Sequence, residues 1–369
     1  FLAEGFSTAV EMLQRQPPSA KSVTLHFKRA SIGRKHEYER APPHRAKVVG
    51  QGAWSSRGRR KSQEDRFILT EIRDGPNAAL LSGVFDGHGG GAASKTLAQL
   101  LPSLFSVELS DLANDREGKV ASQSDVLVAL ETAFDLTCST YRDGCDAEGT
   151  CVADYDPSEG VVLAGTGSAD LVAGSTATAA VLSTAEDGAD ALTVLNCGDS
   201  RTLVVGRRRG AGEGDGGGGA GGDADVVHFA TRDHFPGDPL EIERLARGKD
   251  KGFSEAKCNM SRWRVKVGDY QYALSRSMEG SFATSKGIVS EADMSVVDLS
   301  ELLAERELGA VIQASDGLFD VIDNEEFGRR VVEAREKGHP AEEVAKSICQ
   351  MAIEKGSPDN VSVVIIYLD

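Results

Sequence analysis

The sequence predicts an α+β fold of antiparallel sheets with helices packed against them. Three observations predict it. Short apolar runs bounded by glycine recur from about Val48 onward, as in buried strands. Amphipathic stretches of helical period stand between groups of these runs. The tight strand–helix–strand alternation of a doubly wound parallel sheet is absent.

The strand-like runs are Phe67-Ile68-Leu69, Ala79 to Phe85, Thr176 to Leu182, Leu192 to Asn196, Thr202 to Val205, Val226 to Phe229 and Val361 to Tyr367. Ala92 to Phe105 reads as a helix. So does Val126 to Thr137, with Leu127, Leu130, Ala133 and Phe134 on one face. Asp323-Asn324-Glu325-Glu326 has the form of a capping box before another helix. Pro340 to Lys355 begins with proline and stops at Gly356, the punctuation expected of a helix.

Residues 1–49 read as a basic N-terminal extension. Leu2, Phe6, Ala9, Val10 and Leu13 recur at helical spacing up to Pro17-Pro18, and Val23, Leu25 and Phe27 alternate as in a strand. Two inserted loops are expected. Residues 138–168 are rich in Gly, Asp and Cys, and residues 206–225 form a low-complexity glycine-rich turn between two strand-like runs.

The 369 residues are 40% hydrophobic and 27% charged, with a formal net charge of −16. Residues 1–60 hold twelve Lys/Arg against four Asp/Glu, so the acid excess lies in the body of the chain. Such a body disfavours nucleic acid as a partner, because phosphate backbones need a cationic surface. It suits a protein that gathers carboxylates around cations. No apolar run reaches the roughly 18 residues of a membrane span. The six cysteines do not form a disulfide framework. Cys197, Cys258 and Cys349 are expected to pack as small apolar residues. Cys138, Cys145 and Cys151 are expected as free thiols in a loop, which points to an intracellular compartment.

Acidic groups beside glycine or at the ends of apolar runs carry the chemistry. They are Glu64-Asp65, Asp86-Gly87, Gly198-Asp199, Asp316-Gly317 with Asp320, and Asp359-Asn360. Any one of them is more often an ordinary turn. Five such sites, with no thiolate or multi-histidine cluster to compete, point to hard divalent cations. Arg60, four residues before Glu64, offers a fork suited to a phosphate dianion. His88, in a glycine-rich turn beside Asp86, is a candidate general acid.

These segments resemble the type 2C (PPM-class) metal-dependent serine/threonine protein phosphatases. The matching runs include Gly58 to Asp65, Val84 to Gly90, Gly174 to Ala177, Asn196 to Arg201, Thr231 to His234, Leu274 to Ser277, Ala314 to Val321 and Gly356 to Val361. They occur in the family's order, which makes residues 50–369 one catalytic domain with a flap near 238–270. The resemblance implies a β-sandwich of two antiparallel sheets flanked by helices on both sides. It implies two metal ions, Mg²⁺ or Mn²⁺, with Asp86 bridging them and Gly87, Asp316 and Asp359 completing the ligands. Glu64 and Asp65 would act through water or hydrogen bonds. Asp199 and Asp320 would hold a third, weaker metal, and Arg60 the substrate phosphate. A water between the two metals would attack phosphorus in line, with His88 protonating the leaving oxygen.

The expected partners are phosphoprotein substrates, and the expected state is a monomer. The sequence departs from the family at Glu279-Gly280, where Gly-Asp is usual, and no site is assigned there. Phe235 stands where a lysine is common. A pseudophosphatase scaffold on the same fold is the alternative, although its sign would be lost ligands, and Asp86, Asp316 and Asp359 remain. A metal-dependent nuclease would share the ligand chemistry but needs a basic groove.

Overall fold

Both faces of the central strands are apolar, so each sheet must be covered on two sides. In the computed structural model two five-stranded sheets achieve this by stacking on each other. The first runs β1 (Val48–Ser56), β15 (Val361–Leu368), β14 (Arg306–Ala314), β8 (Arg201–Arg208) and β9 (Val227–Ala230). The second runs β13 (Asp293–Asp298), β7 (Ala191–Cys197), β6 (Ala177–Ser183), β3 (Asn77–Phe85) and β2 (Arg66–Asp74). Every neighbouring pair is antiparallel. The structure describes residues 45–74, 77–114, 120–147, 173–183, 189–208, 226–249, 256–259, 262–267 and 270–369. The helix and strand expected before Pro43 lie outside them, as do Cys151 and most of both glycine-rich insertions.

Side-chain alternation sets the layers. Leu80, Leu182, Leu192, Val194, Val204, Val311 and Ile366 meet between the sheets. Their neighbours Leu81, Phe85, Val181 and Leu195 face outward and are covered by α1 (Ala92–Asn114) and α2 (Gln123–Ala147). On the other side Leu203, Ile312, Val363 and Ile365 are covered by α7 (Asn324–Glu336) and α8 (Ala341–Glu354). Each large aliphatic or aromatic side chain buried in this way contributes about 1.5–3 kcal/mol. The order is helix, sheet, sheet, helix, as expected.

The long helices overrun their expected ends. α1 continues through Pro102 and past Phe105 because Leu109 still meets the core. α2 runs on to Ala147, so residues 138–147 are helix and not loop. Cys138, Tyr141 and Cys145 keep the helical stripe buried against the sheet, and that packing outweighs the weak propensity of Gly144. Cys138 and Cys145 are therefore buried helix residues and not loop thiols. Cys197 and Cys349 are buried as expected. β8 extends to Arg208, and Arg207 is engaged by Glu307 and Glu336 within the chain. Half of the expected capping box forms: Asp323 accepts from the Glu326 amide at 2.7 Å, while the Glu326 carboxylate turns instead to Arg330 and Lys355. No helix among the described residues is long and apolar enough to cross a membrane.

Smaller elements dress one end. They are β4 (Gly87–His88) paired with β5 (Gly174–Ser175), a β10–β12 sheet (Ala256–Asn259, Arg262–Val267, Tyr270–Tyr272), and α3 (Pro239–Arg247). α4 (Ser281–Ser285), α5 (Leu299–Glu305) and α6 (Asp316–Phe319) complete the chain.

Candidate active site

Strand register brings the acids together. Arg66 lies opposite Phe85, and Ala314 lies opposite Val363. The residues just beyond these pairs, Asp65 and Asp86 on one sheet and Asp316 and Asp359 near the other, therefore emerge at the same end of the sandwich. Asp86, Asp316 and Asp359 open onto a cleft of about 390 Å³. Arg60, Glu64, Asp86, Gly87, His88, Asp199, Asp316 and Asp359 all line it. Gln271 to Leu274, at the end of β12 and just beyond it, form its flap-side wall.

Two of the expected residues do not line the cleft. Asp65 is buried behind it, its Oδ2 accepting from Ser315 at 2.9 Å and Ser362 at 2.7 Å. Its Oδ1 has no hydrogen-bond partner. Asp320 is exposed at the end of α6, close enough for its charge to act on Asp199 and Asp316.

Backbone contacts hold these groups in place. Thr176 grips Asp86 on both sides, accepting from its amide at 3.0 Å and donating its own amide to the Asp86 carbonyl at 2.9 Å. The Asn360 side chain ties the Arg57 and Ser62 carbonyls and the Glu64 amide to the Asp359 segment. Gly87 packs so closely that an added Cβ would lie 2.4 Å from the Glu64 carbonyl oxygen. Only glycine permits that approach.

The cleft is electrostatically unbalanced. Burial, with charge from Asp316 and Asp359, pushes the Asp65 carboxyl up to about 7 despite its two hydroxyl donors. Burial, reinforced by Asp65 and Asp316, pushes Asp86 well above the usual carboxylate range. Asp199 is raised by burial and by Asp316, and Asp316 is raised by burial in the same cluster. The guanidinium of Arg60 pairs with Asp359 at 2.5 Å. Among the described residues no group of three or more His, Cys, Asp or Glu side chains is already arranged to hold a metal ion. The donors converge on a common space without closing on it. An oxygen-only donor set with excess negative charge and an orphaned buried oxygen fits hard divalent cations.

Beside the cleft lies a second charged cluster with the opposite balance. Glu241 on α3, fully buried, takes Arg276 at 2.5 Å and Arg244 at 2.9 Å. Asp293 takes Arg232 at 3.0 Å and Arg276 at 3.1 Å, with His234 at 3.2 Å. Burial alone would raise both carboxyls. Arg276 and Arg244 outweigh it at Glu241, held at about 2, and His234 with Arg276 and Arg232 outweighs it at Asp293, held below its usual range. His234 receives the Gly198 amide at 3.1 Å, which links this cluster to the turn carrying Asp199.

The protein phosphatase 2C family model matches residues 49–361. The chain belongs to the protein phosphatase 2C family. A probable protein phosphatase 2C 45 from Oryza sativa subsp. japonica is 30% identical over 317 residues, covering 85% of this chain and 86% of the relative. Protein phosphatase 1L from Bos taurus is 27% identical over 315 residues, covering 85% of this chain and 71% of the relative. Two solved structures share the fold. A serine-threonine phosphatase 2C from Toxoplasma gondii superposes with a TM-score of 0.63 at 19% identity, covering 89% of this chain and 98% of that one. A C. elegans sex determining protein superposes with a TM-score of 0.60 at 22% identity, covering 87% of this chain and 65% of that one. As a protein phosphatase 2C, the chain is a protein serine/threonine phosphatase. The scaffold alternative gains no support, since the acids of this phosphatase still converge on one cleft.

Sequence reasoning left Glu279 without a site, and the structure corrects that. Glu279 is fully buried and lies 2.6 Å from the His88 Nε2. Burial alone would lower the His88 imidazole, and the Glu279 carboxylate reverses this and raises it. Nothing in the local sequence signals the contact, because the two residues stand 191 apart. Thr176 and Asn360 lay within matching motifs but had no role until their bonds to the cleft backbone were seen.

Proposed function

We propose that this phosphatase hydrolyses phosphoserine and phosphothreonine in proteins using two divalent cations, Mg²⁺ or Mn²⁺. The observation that carries the reading is the cleft itself, where Asp86, Asp199 and Asp316 are held at raised pKa by burial and mutual repulsion. Asp86, the Gly87 carbonyl, Asp316 and Asp359 would hold the two cations, and Glu64 and Asp65 would support them through hydrogen bonds. Asp199 and Asp320 would hold a third, weaker one. When bound, the cations lower the pKa of a water and offset charge on the phosphoryl oxygens. Arg60 stands more than half exposed at the cleft mouth. Once Asp359 shares its charge with a cation, the Arg60 fork suits a phosphate dianion. His88 donates the proton that the departing alkoxide needs.

The test is phosphate release from a panel of phosphoserine, phosphothreonine and phosphotyrosine peptides with Mn²⁺ and with EDTA. Release from the first two that stops in EDTA is expected. Full activity in EDTA, or an Asp316→Asn variant as active as the parent protein, would refute the metal-dependent reading.

A further inference from the structure

His88 and Glu279 are brought together by a short ladder. His88 on β4 pairs with Gly174 on β5. The next residue, Ser175, bridges to Met278 through two backbone hydrogen bonds of 3.0 and 2.8 Å. Glu279 follows Met278 directly, so its side chain arrives against the His88 ring. Glu279 Oε1 lies 2.6 Å from His88 Nε2 and accepts from the Ser277 hydroxyl at 2.6 Å. Its Oε2 is buried with no partner. The space between the two side chains exists only because residue 174 is glycine. A Cβ there would lie 2.2 Å from Glu279 Oε1 and 2.3 Å from His88 Nε2. Tyr272 meets the imidazole edge-on, with ring centroids 6.2 Å apart.

A fully buried carboxylate with one orphaned oxygen is costly, and an apolar residue would fill the same space more favourably. Its presence here therefore asks for a role beyond packing. A carboxylate can only accept here, so Nε2 carries the proton in the contact. That leaves Nδ1, which makes no hydrogen bond among the described residues, as the ring nitrogen open to substrate.

We propose that Glu279 is the positioning residue for His88, fixing the ring by its Nε2–H edge so that Nδ1 serves the leaving oxygen. The proposal rests on the phosphatase reading above. In the step it serves, a water oxygen bonds to phosphorus as the bond from phosphorus to the serine or threonine oxygen breaks. That oxygen keeps the bonding pair and takes a proton from Nδ1. The attacking water releases a proton to solvent, and His88 regains one from solvent, so the products are the alcohol and inorganic phosphate.

The test compares a phosphoserine peptide, whose alkoxide needs a proton to leave, with 4-nitrophenyl phosphate, whose phenolate does not. Glu279→Leu is expected to lower kcat on the peptide about 10²-fold, with KM within about twofold and 4-nitrophenyl phosphate hydrolysis within about fivefold. Glu279→Gln, which keeps an acceptor oxygen, is expected to recover most of the loss. His88→Ala should show the same split between substrates, and adding Glu279→Leu to it should cost nothing more. Gly174→Ala, which keeps both side chains but drives a methyl between them, should reproduce the split should Glu279→Leu not fold. Equal losses on both substrates, or losses that multiply in the double variant, would overturn the assignment. A wild-type protein inactive on both substrates with Mn²⁺ would instead remove the phosphatase reading beneath it.

Discussion

Two acidic clusters lie side by side in this phosphatase, and they are built to opposite ends. Around Glu241 and Asp293 the chain supplies its own cations, Arg232, Arg244 and Arg276, and the carboxyls are held below their usual range. Around Asp65, Asp86, Asp199 and Asp316 the carboxyls are pushed up instead, and the paired Arg60 sits at the rim on Asp359. Burial acts in the same direction in both places. Counter-charge decides the sign. The closed cluster pins α3 and the turn at Gly198, whereas the open one keeps carboxylate oxygens available to a ligand.

The largest effect expected is at the open cluster. Asp86→Asn should reduce peptide dephosphorylation by about 10³-fold or more while the circular dichroism spectrum stays that of the parent, since a cleft ligand is lost but no core contact. Near-parental turnover would break the contrast at its root. Next comes the closed cluster. Arg276→Met leaves the buried Glu241 and the partly buried Asp293 with fewer partners and should cost about 3 kcal/mol of unfolding free energy in urea titration. A neutral result would mean that Arg244 and Arg232 suffice.

The two clusters should also respond oppositely to pH. With EDTA present, the raised Asp65 opposes folding fully above about 7 and not at all below the unfolded carboxylate value of 3.8. Its contribution to stability therefore falls as pH rises through that window. Mn²⁺ should then raise Tm more at pH 8 than at pH 5, and an equal rise at both would count against the open cluster as its binding place. The smallest effect is at the acid end. Glu241, held at about 2, contributes stability that is whole above its ordinary value of 4.5 and fades as pH falls toward 2. An Arg276→Met variant should lose part of that acid-limb slope in pH-dependent denaturation curves.

Periodicity and motif order made the strands and the cleft acids legible. β3, β6, β7 and β15 follow from runs of buried apolar residues, and Asp86, Asp199 and Asp359 sit beside an end of β3, β7 and β15, whereas Asp316 follows β14, which the apolar runs did not single out. These are local facts about the chain, and the backbone's period of two carries them into the sheet unaided. Helix ends were less legible. α2 passes Thr137 because Tyr141 and Cys145 find a sheet to pack on, which no window of sequence contains.

The sequence by itself determined the α+β class and placed acids at strand ends, because strand alternation and strand-end position are properties of neighbouring residues; register between distant strands brought those acids to one end. Only the tertiary structure decided which charges meet. It set Glu279 against His88, Arg60 on Asp359, and Asp65 behind the cleft between two serines. Each of those pairings joins residues 191 or more positions apart, and its sign depends on burial and counter-charge that exist only once the sheets have stacked.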